Sequence, residues 1–291
     1  MSYQSMEEAY ARCDKEGIEL WKAFQLEDCD ERNVSEAASW KMMKGMWQAM
    51  IDGLADYEPG LMSGSGLVGA EGGLMQEYNK KGDTLCGDYV TKVMANALKM
   101  ACNNACMKRI VAAPTAGACG VLPAVLCTYY QEFDVPEEKM IEAMYVAAGV
   151  GQVIANRACL AGAAGGCQAE VGSGSGMAAA AITYLRGGDA RTQGHACAMA
   201  LKNLMGLVCD PVGGLVEVPC VKRNVGGSVN AMAASDMAMA GITSKIPVDQ
   251  VIDAQKEVGD KMDVTLRETG YGGVAASPAG KEVCERLGLV L

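Results

Sequence analysis

Residues 162–186 read GAAGGCQAEVGSGSGMAAAAITYLR. The first fifteen carry too many glycines for one continuous helix, since each glycine costs about 1 kcal/mol relative to alanine in a helix interior. The remainder, 177–186, is a helix of small residues. The same alternation of apolar helix and glycine punctuation runs outward in both directions. Upstream, Pro136 followed by Glu137 and Glu138 starts a helix over 137–164, and another begins at Pro123. AAPTAGACG (112–120) breaks the pattern, and before it a helix runs from an Asp88 cap to Val111. DYEPG onward, 56–88, has the Gly, Ser and Pro density of a loop that lines a site. A helix capped by Ser35 carries Trp40, Met43, Trp47, Met50 and Leu54 at helical spacing, and a first helix covers 4–25. Downstream, helices are expected over 190–208, 228–242 and 248–262. Alternating β-branched runs are nearly absent. The expected fold is all-α: one compact helical domain spanning 1–291, with glycine-rich loops forming the site.

Composition narrows the function. Of 291 residues half are apolar, but only 2 are Phe and 3 are Trp against 36 Gly, so helices are expected to pack closely through small side chains. A net charge of −10 with no basic run longer than Lys222-Arg223 argues against a nucleic-acid partner. The charged N-terminus does not resemble a signal peptide, and Asn156, Arg157 and Arg186 interrupt the richest apolar windows before they reach the ~20 residues of a membrane span. A soluble, cytoplasmic protein is expected.

Thirteen cysteines in such a chain read as reduced thiols. Most sit among Ala and Leu on helical faces, as Cys102, Cys106, Cys127, Cys159 and Cys197 do, and read as small buried hydrophobes. Cys167, Cys209 and Cys220 differ, for each lies in a Gly/Pro turn where the sulfur is uncrowded and backbone N–H groups are free. The loops hold no zinc knuckle, and the single histidine, His195, read as a surface or capping residue, excludes a histidine-based metal site within the chain. Three dispersed thiolates suit an iron-sulfur cluster with one iron left free of protein thiolate. They equally suit three ordinary turn cysteines, and spacing does not separate the two.

The segments AAPTAGACGVLPAVL (112–126), AGGCQAEVGSGSGMAAAA (164–181) and GLVCDPVGGLVEVPCVKRN (206–224) resemble the α chain of bacterial iron-sulfur-dependent L-serine dehydratases, and SGSGLVGAEG (63–72) and LRETGYGGVAASPAGK (266–281) are similar to the same family. The resemblance implies a 4Fe-4S cluster held by Cys167, Cys209 and Cys220, and β-elimination of water from L-serine to give pyruvate and ammonia. It also implies a heterodimer with a separate β chain, and that histidine-bearing chain is expected to bring the base, since no residue here is an obvious one; a homo-oligomer is the other assembly left open. In the single-chain form a C-terminal cysteine occupies the open iron. Here the sequence ends in Val290-Leu291, with Cys284 the nearest thiol, so tail inhibition is not expected.

For the substrate, Ser63, Ser65 and Gly66 form a hydroxyl-rich turn suited to an anion. Thr115, and Ser173 and Ser175 in GSGSG, offer similar chemistry, while Lys222, Arg223 and Asn224 would pair with the carboxylate. Each reads equally as a cap or turn residue. Glu170 and Asp210 either orient ligands or cap helices, and Cys119 is the rival fourth thiolate. Three other readings stand beside this one: a related cysteine desulfidase, a pyridoxal phosphate deaminase with Lys202 or Lys222 as the Schiff-base lysine, and a non-catalytic thiol-rich scaffold.

Overall fold

The computed structural model describes residues 2–289, so Val290 and Leu291, on which the tail expectation turned, lie outside the described residues. Within them the protein is all-α, with no strand beyond a single isolated bridge. The thirteen helices are α1 Met6–Glu16, α2 Leu20–Arg32, α3 Glu36–Ala55, α4 Glu71–Lys80, α5 Gly87–Ala105, α6 Val121–Glu132, α7 Glu137–Arg157, α8 Gly162–Gly165, α9 Ser173–Leu185, α10 Ala190–Asn203, α11 Cys220–Met239, α12 Val248–Lys261 and α13 Pro278–Leu287. None is long and apolar enough to cross a membrane.

The centre is α9. Every residue from Ser173 to Tyr184 is buried, and α7, α10, α11 and α6 pack around it. Its run of Gly, Ser and Ala makes this possible, because small side chains let the neighbouring backbones come close. A methyl group built at Gly176 would already stand 3.1 Å from Cys197 Sγ and from a Leu201 methyl. Interhelical hydrogen bonds finish the contact: the Ser175 hydroxyl donates to the Gly227 carbonyl at 2.8 Å and accepts from the Asn230 amide at 2.9 Å, and Thr183 donates to Ser235 at 2.9 Å. α2 and α3 stack on α7 through larger residues, with Trp40 between Trp21 and Tyr145, and α1 packs on α2.

Several boundaries differ from the sequence reading. The helix expected over 4–25 is two, because Gly17 adopts a left-handed φ of 66° and caps α1. Ser35 caps α3 as expected, its hydroxyl accepting the Ala38 N–H. The 56–88 segment is not all loop: it contains α4, whose Gly72 lies so close to the Lys99 backbone that any side chain would clash at 2.9 Å. Asp88 sits in the first turn of α5 rather than at its cap, and α7 stops at Arg157. Glycine does break the chain in 162–176, but only at Gly166. From Gln168 a π-helical turn runs straight into α9, which therefore absorbs GSGSG. Burial against four helices outweighs the poor intrinsic propensity there. α11 begins at Cys220, eight residues earlier than expected, and α13 went unforeseen, although Ser277 and Pro278 form a standard helix start.

Candidate metal centre

Three chain segments meet beside the N-terminus of α11. The first is the break between α8 and the π-helical turn. Gly166 has φ 76°, and a Cβ there would strike the Leu207 carbonyl at 2.8 Å, so only glycine lets this strand of chain lie against 204–209. Gln168 seals the contact, donating its N–H to Leu207 O at 2.9 Å and accepting from Gly206 N at 2.8 Å. Cys167 stands at the bend, followed by a π-helical turn, a distortion that recurs at functional sites.

The second segment carries Cys209. Its N–H donates to Leu266 O at 2.9 Å, and its carbonyl accepts from Glu268 N at 2.7 Å, pairing it in parallel with the 266–268 stretch. The 212–218 turn then closes on itself, Val212 N–H donating to Val218 O at 2.9 Å, which returns the chain to the same place and starts α11 at Cys220. Cys220 thus occupies a helix N-terminus, where the macrodipole favours a thiolate.

All three sulfurs are withdrawn from water, with residue exposures of 2%, 3% and 7% for Cys167, Cys209 and Cys220. Burial pushes the Cys167 thiol up to about 11 and Cys220 to about 12, and raises Cys209 as well. After burial, the neighbouring Cys167 thiol is the next influence on both Cys209 and Cys220, which puts the three within one another's field. Without a metal they are neutral thiols at pH 7, and a coordinating metal would deprotonate them.

Glu170 closes one side. Its carboxylate accepts from Cys209 Sγ at 3.9 Å, and burial raises its carboxyl above the ordinary range. The Thr115 hydroxyl lies buried in the same corner, beside the Glu170 carboxylate. Gly162 is kept bare beneath them, for a Cβ there would lie 2.7 Å from Glu170 Oε2 and 2.8 Å from Cys209 Sγ. Among the described residues no three Cys, His, Asp or Glu side chains converge closely enough for a single ion. An iron-sulfur cluster makes a different demand, since each thiolate binds a separate iron of an inorganic core and the sulfurs face it from apart. An all-thiolate donor set, drawn from three segments beside a glycine cradle, fits that demand.

The other candidates divide. Arg223 is in the site: it pairs with Asp210 at 2.8 Å and donates to Val208 O at 2.9 Å. Asp210 also accepts the Val274 N–H at 2.7 Å, which anchors the 270–277 loop; Gly273, φ 61°, must be glycine because a Cβ would meet Asp210 Oδ2 at 2.2 Å. Asn224 ties α11 to the 115–120 turn, donating to Gly117 O at 2.9 Å and accepting from Gly120 N at 2.8 Å. The Ser63 and Ser65 hydroxyls both donate to Glu217, three residues before Cys220, and beside them Gly66 takes a left-handed φ of 73° with open space around it. Ser173 and Ser175 lie inside α9, where Ser173 faces the Gln255 amide at 3.4 Å, so the expectation that GSGSG is an open loop is corrected. Lys222 points outward to Glu71 at 3.2 Å, and Lys202 reaches Ser244 at 3.0 Å. Cys119 is a packing residue, 0% exposed, with its thiol on Met100 O at 3.8 Å and Cys102 as its ionisable neighbour. His195 is neither a cap nor near the thiols; it lies half-buried within α10, lining a separate cleft with Tyr10, Arg191 and Asp249. The sequence reading missed Glu217 and Glu268. The one local signal for Glu268 is its φ of 64°, uncommon for a residue with a side chain.

The chain matches the family described as "Serine dehydratase alpha chain" over residues 15–275. It is 44% identical to the "Probable L-serine dehydratase, alpha chain" of Bacillus subtilis (strain 168) over 281 residues, covering 94% of each chain. It is 51% identical to the "Probable L-serine dehydratase, alpha chain" of Latilactobacillus sakei over 193 residues, 66% of this chain and 92% of that one. A third relative, the "L-serine dehydratase, alpha chain" of Peptoniphilus asaccharolyticus, is 44% identical over 207 residues, 71% of each chain. Matched by that family over residues 15–275 and by the Bacillus subtilis protein over 94% of both chains, this chain belongs to the serine dehydratase alpha chain family.

Proposed function

We propose that this chain is the catalytic α chain of an iron-sulfur-dependent L-serine dehydratase, converting L-serine to pyruvate and ammonia by β-elimination of water. One observation carries the reading: in a member of this family, three buried cysteines from three separate segments share one corner with Glu170 and the Thr115 hydroxyl. Cys167, Cys209 and Cys220 would hold a 4Fe-4S cluster. When bound, it supplies a Lewis acid for a poor leaving group, the substrate hydroxyl.

The rest falls to the chain's own groups. Burial of the three cysteines and of the loops around them keeps water from the reacting centre. The Glu170 carboxylate, with the buried Thr115 hydroxyl beside it, is available to the substrate ammonium. The Ser63 and Ser65 hydroxyls already donate to Glu217, so what their turn offers an anion is its backbone N–H groups around Gly66. The proton at Cα needs a base near neutral pH, and the one histidine of the chain lies in a different cleft. We assign that base to a β chain, which makes the α chain inactive alone.

Anaerobic purification followed by iron and sulfide analysis, then assay of pyruvate from serine, threonine and cysteine with and without the β chain, tests the reading. Stoichiometric iron and sulfide with serine turnover dependent on both chains is expected. A metal-free chain that still deaminates serine would overturn the cluster, and sulfide released from cysteine faster than pyruvate from serine would move the substrate.

A further inference from the structure

We propose that Arg223 is the positioning residue that locks the Cys209 segment against the start of α11, where Cys220 lies, rather than a group that binds the substrate carboxylate. This inference rests on the cluster reading above. The Arg223 guanidinium reaches from the Cys220 segment to both sides of Cys209. It donates to Val208 O at 2.9 Å, one residue before Cys209, and pairs with Asp210 at 2.8 Å, one residue after it. Its own backbone lies three residues beyond Cys220 in the first turn of α11.

The partners explain why the arrangement is rigid. The Asp210 side chain is 2% exposed, and its second oxygen is held by the Val274 N–H at 2.7 Å. The Arg223 side chain is 17% exposed. A buried carboxylate beside three thiolates would be repelled by them without a cation, so the guanidinium both offsets that charge and bridges the strands that bear it. Arginine suits this because its planar fork presents several donors in fixed directions and stays charged at any working pH. A lysine ammonium is a point charge and lacks the fixed donor directions of the planar guanidinium.

The test uses the full chain, anaerobically reconstituted with ferrous iron and sulfide, as wild type, Arg223→Met, Arg223→Lys, Asp210→Asn and the double variant Asp210→Asn/Arg223→Met. Iron per chain, the rate of iron loss to a chelator, the electron paramagnetic resonance spectrum of the reduced cluster, KM for L-serine and the helicity of the metal-free chain are measured. Expected are unchanged helicity, iron loss from Arg223→Met faster by about 10–100-fold as for other groups that orient metal ligands, a shifted resonance spectrum, and no rescue by Arg223→Lys. The double variant should lose iron no faster than Arg223→Met, since both changes break one pair. Should Arg223→Met fail to fold, iron loss from Arg223→Lys and Asp210→Asn decides the matter by the same criterion. A variant that keeps its iron as wild type does while KM for serine rises would overturn the inference and return Arg223 to the substrate. A wild type that takes up no iron and sulfide would instead overturn the cluster reading, and this inference with it.

Discussion

Gly174 and Gly176 in α9 and Gly166 and Gly273 around the thiols sit in equally small-residue surroundings, yet only the second pair takes a left-handed backbone. In α9 the missing side chain serves helix packing, with the neighbouring atoms of Cys197 and Leu201 at 3.1 Å from where a Cβ of Gly176 would be. Around the thiols it serves the backbone itself, letting 166 lie on 207 and 273 lie on Asp210. The cysteines divide along the same line. Cys197 and Cys127 fill the core at 0% and 1% exposure, whereas Cys167, Cys209 and Cys220 lie buried on three separate segments. Glycine and cysteine content is therefore uninformative until one knows whether a segment is helix or turn.

The largest effect that would break this comparison lies in the thiols. Cys209→Ala should lose more iron than the ~10–100-fold in affinity that changes outside the ligand sphere cost, and activity with it. Cys197→Ala should keep its iron and lose about 1 kcal/mol of stability, as for any methyl-sized void. Iron analysis and urea melts of both variants measure this, and equal iron in the two would erase the division. Next come the clashing glycines. Gly227→Ala drives a methyl to 2.7 Å from a Val171 methyl and 3.0 Å from a Val121 methyl, and should destabilise by about 1–3 kcal/mol while the cysteines keep their arrangement. Gly162→Ala, aimed at Cys209 Sγ and Glu170, should do the reverse: a small shift in the melt and a clear fall in iron per chain.

Gly174→Ala sharpens the same contrast from the favourable side. Its Cβ would meet Pro114 at 3.4 Å and Ala113 O at 3.5 Å, ordinary contacts, so the gain in helix propensity should raise stability by about 0.5–1 kcal/mol. A drop in the urea midpoint instead would show that α9 is packed more tightly than these distances imply. A control lies remote from both regions. Burial holds the Glu27 carboxyl at about 7, where it accepts the Tyr3 N–H. A carboxyl raised in the folded state binds its proton more tightly there, so its contribution is present below the unfolded value near 4.5 and is lost as pH rises through 7. The melting temperature of Glu27→Gln should thus fall less steeply between pH 5 and 7 than that of wild type, with iron content unchanged.

How far the sequence carries the fold depends on where the deciding contacts lie. Ser35 and the Trp40, Met43, Trp47 stripe announce α3 within a few residues of themselves, and Pro136 announces α7. α4 and the start of α9 were read as loop because glycine propensity is local while their stabilisation is not: Gly72 packs on Lys99 and α9 on four other helices. In the site, the Gly/Pro surroundings separate Cys167, Cys209 and Cys220 from the packing thiols, but Glu217 and Glu268 carry no such mark. Glu268 reaches the site only because 266–268 pairs with Cys209 from far along the chain.

By itself the sequence determined an all-α chain, its main helix-breaking turns and a distinct class of turn cysteines, because helical periodicity and glycine's freedom act over neighbouring residues. Only the tertiary structure decided that GSGSG is helix, that the Ser63 and Ser65 hydroxyls are taken by Glu217, and that Arg223 meets Val208 O and Asp210 on either side of Cys209. Those outcomes rest on burial and on hydrogen bonds between distant segments, and such contacts leave no local pattern in the residues that make them.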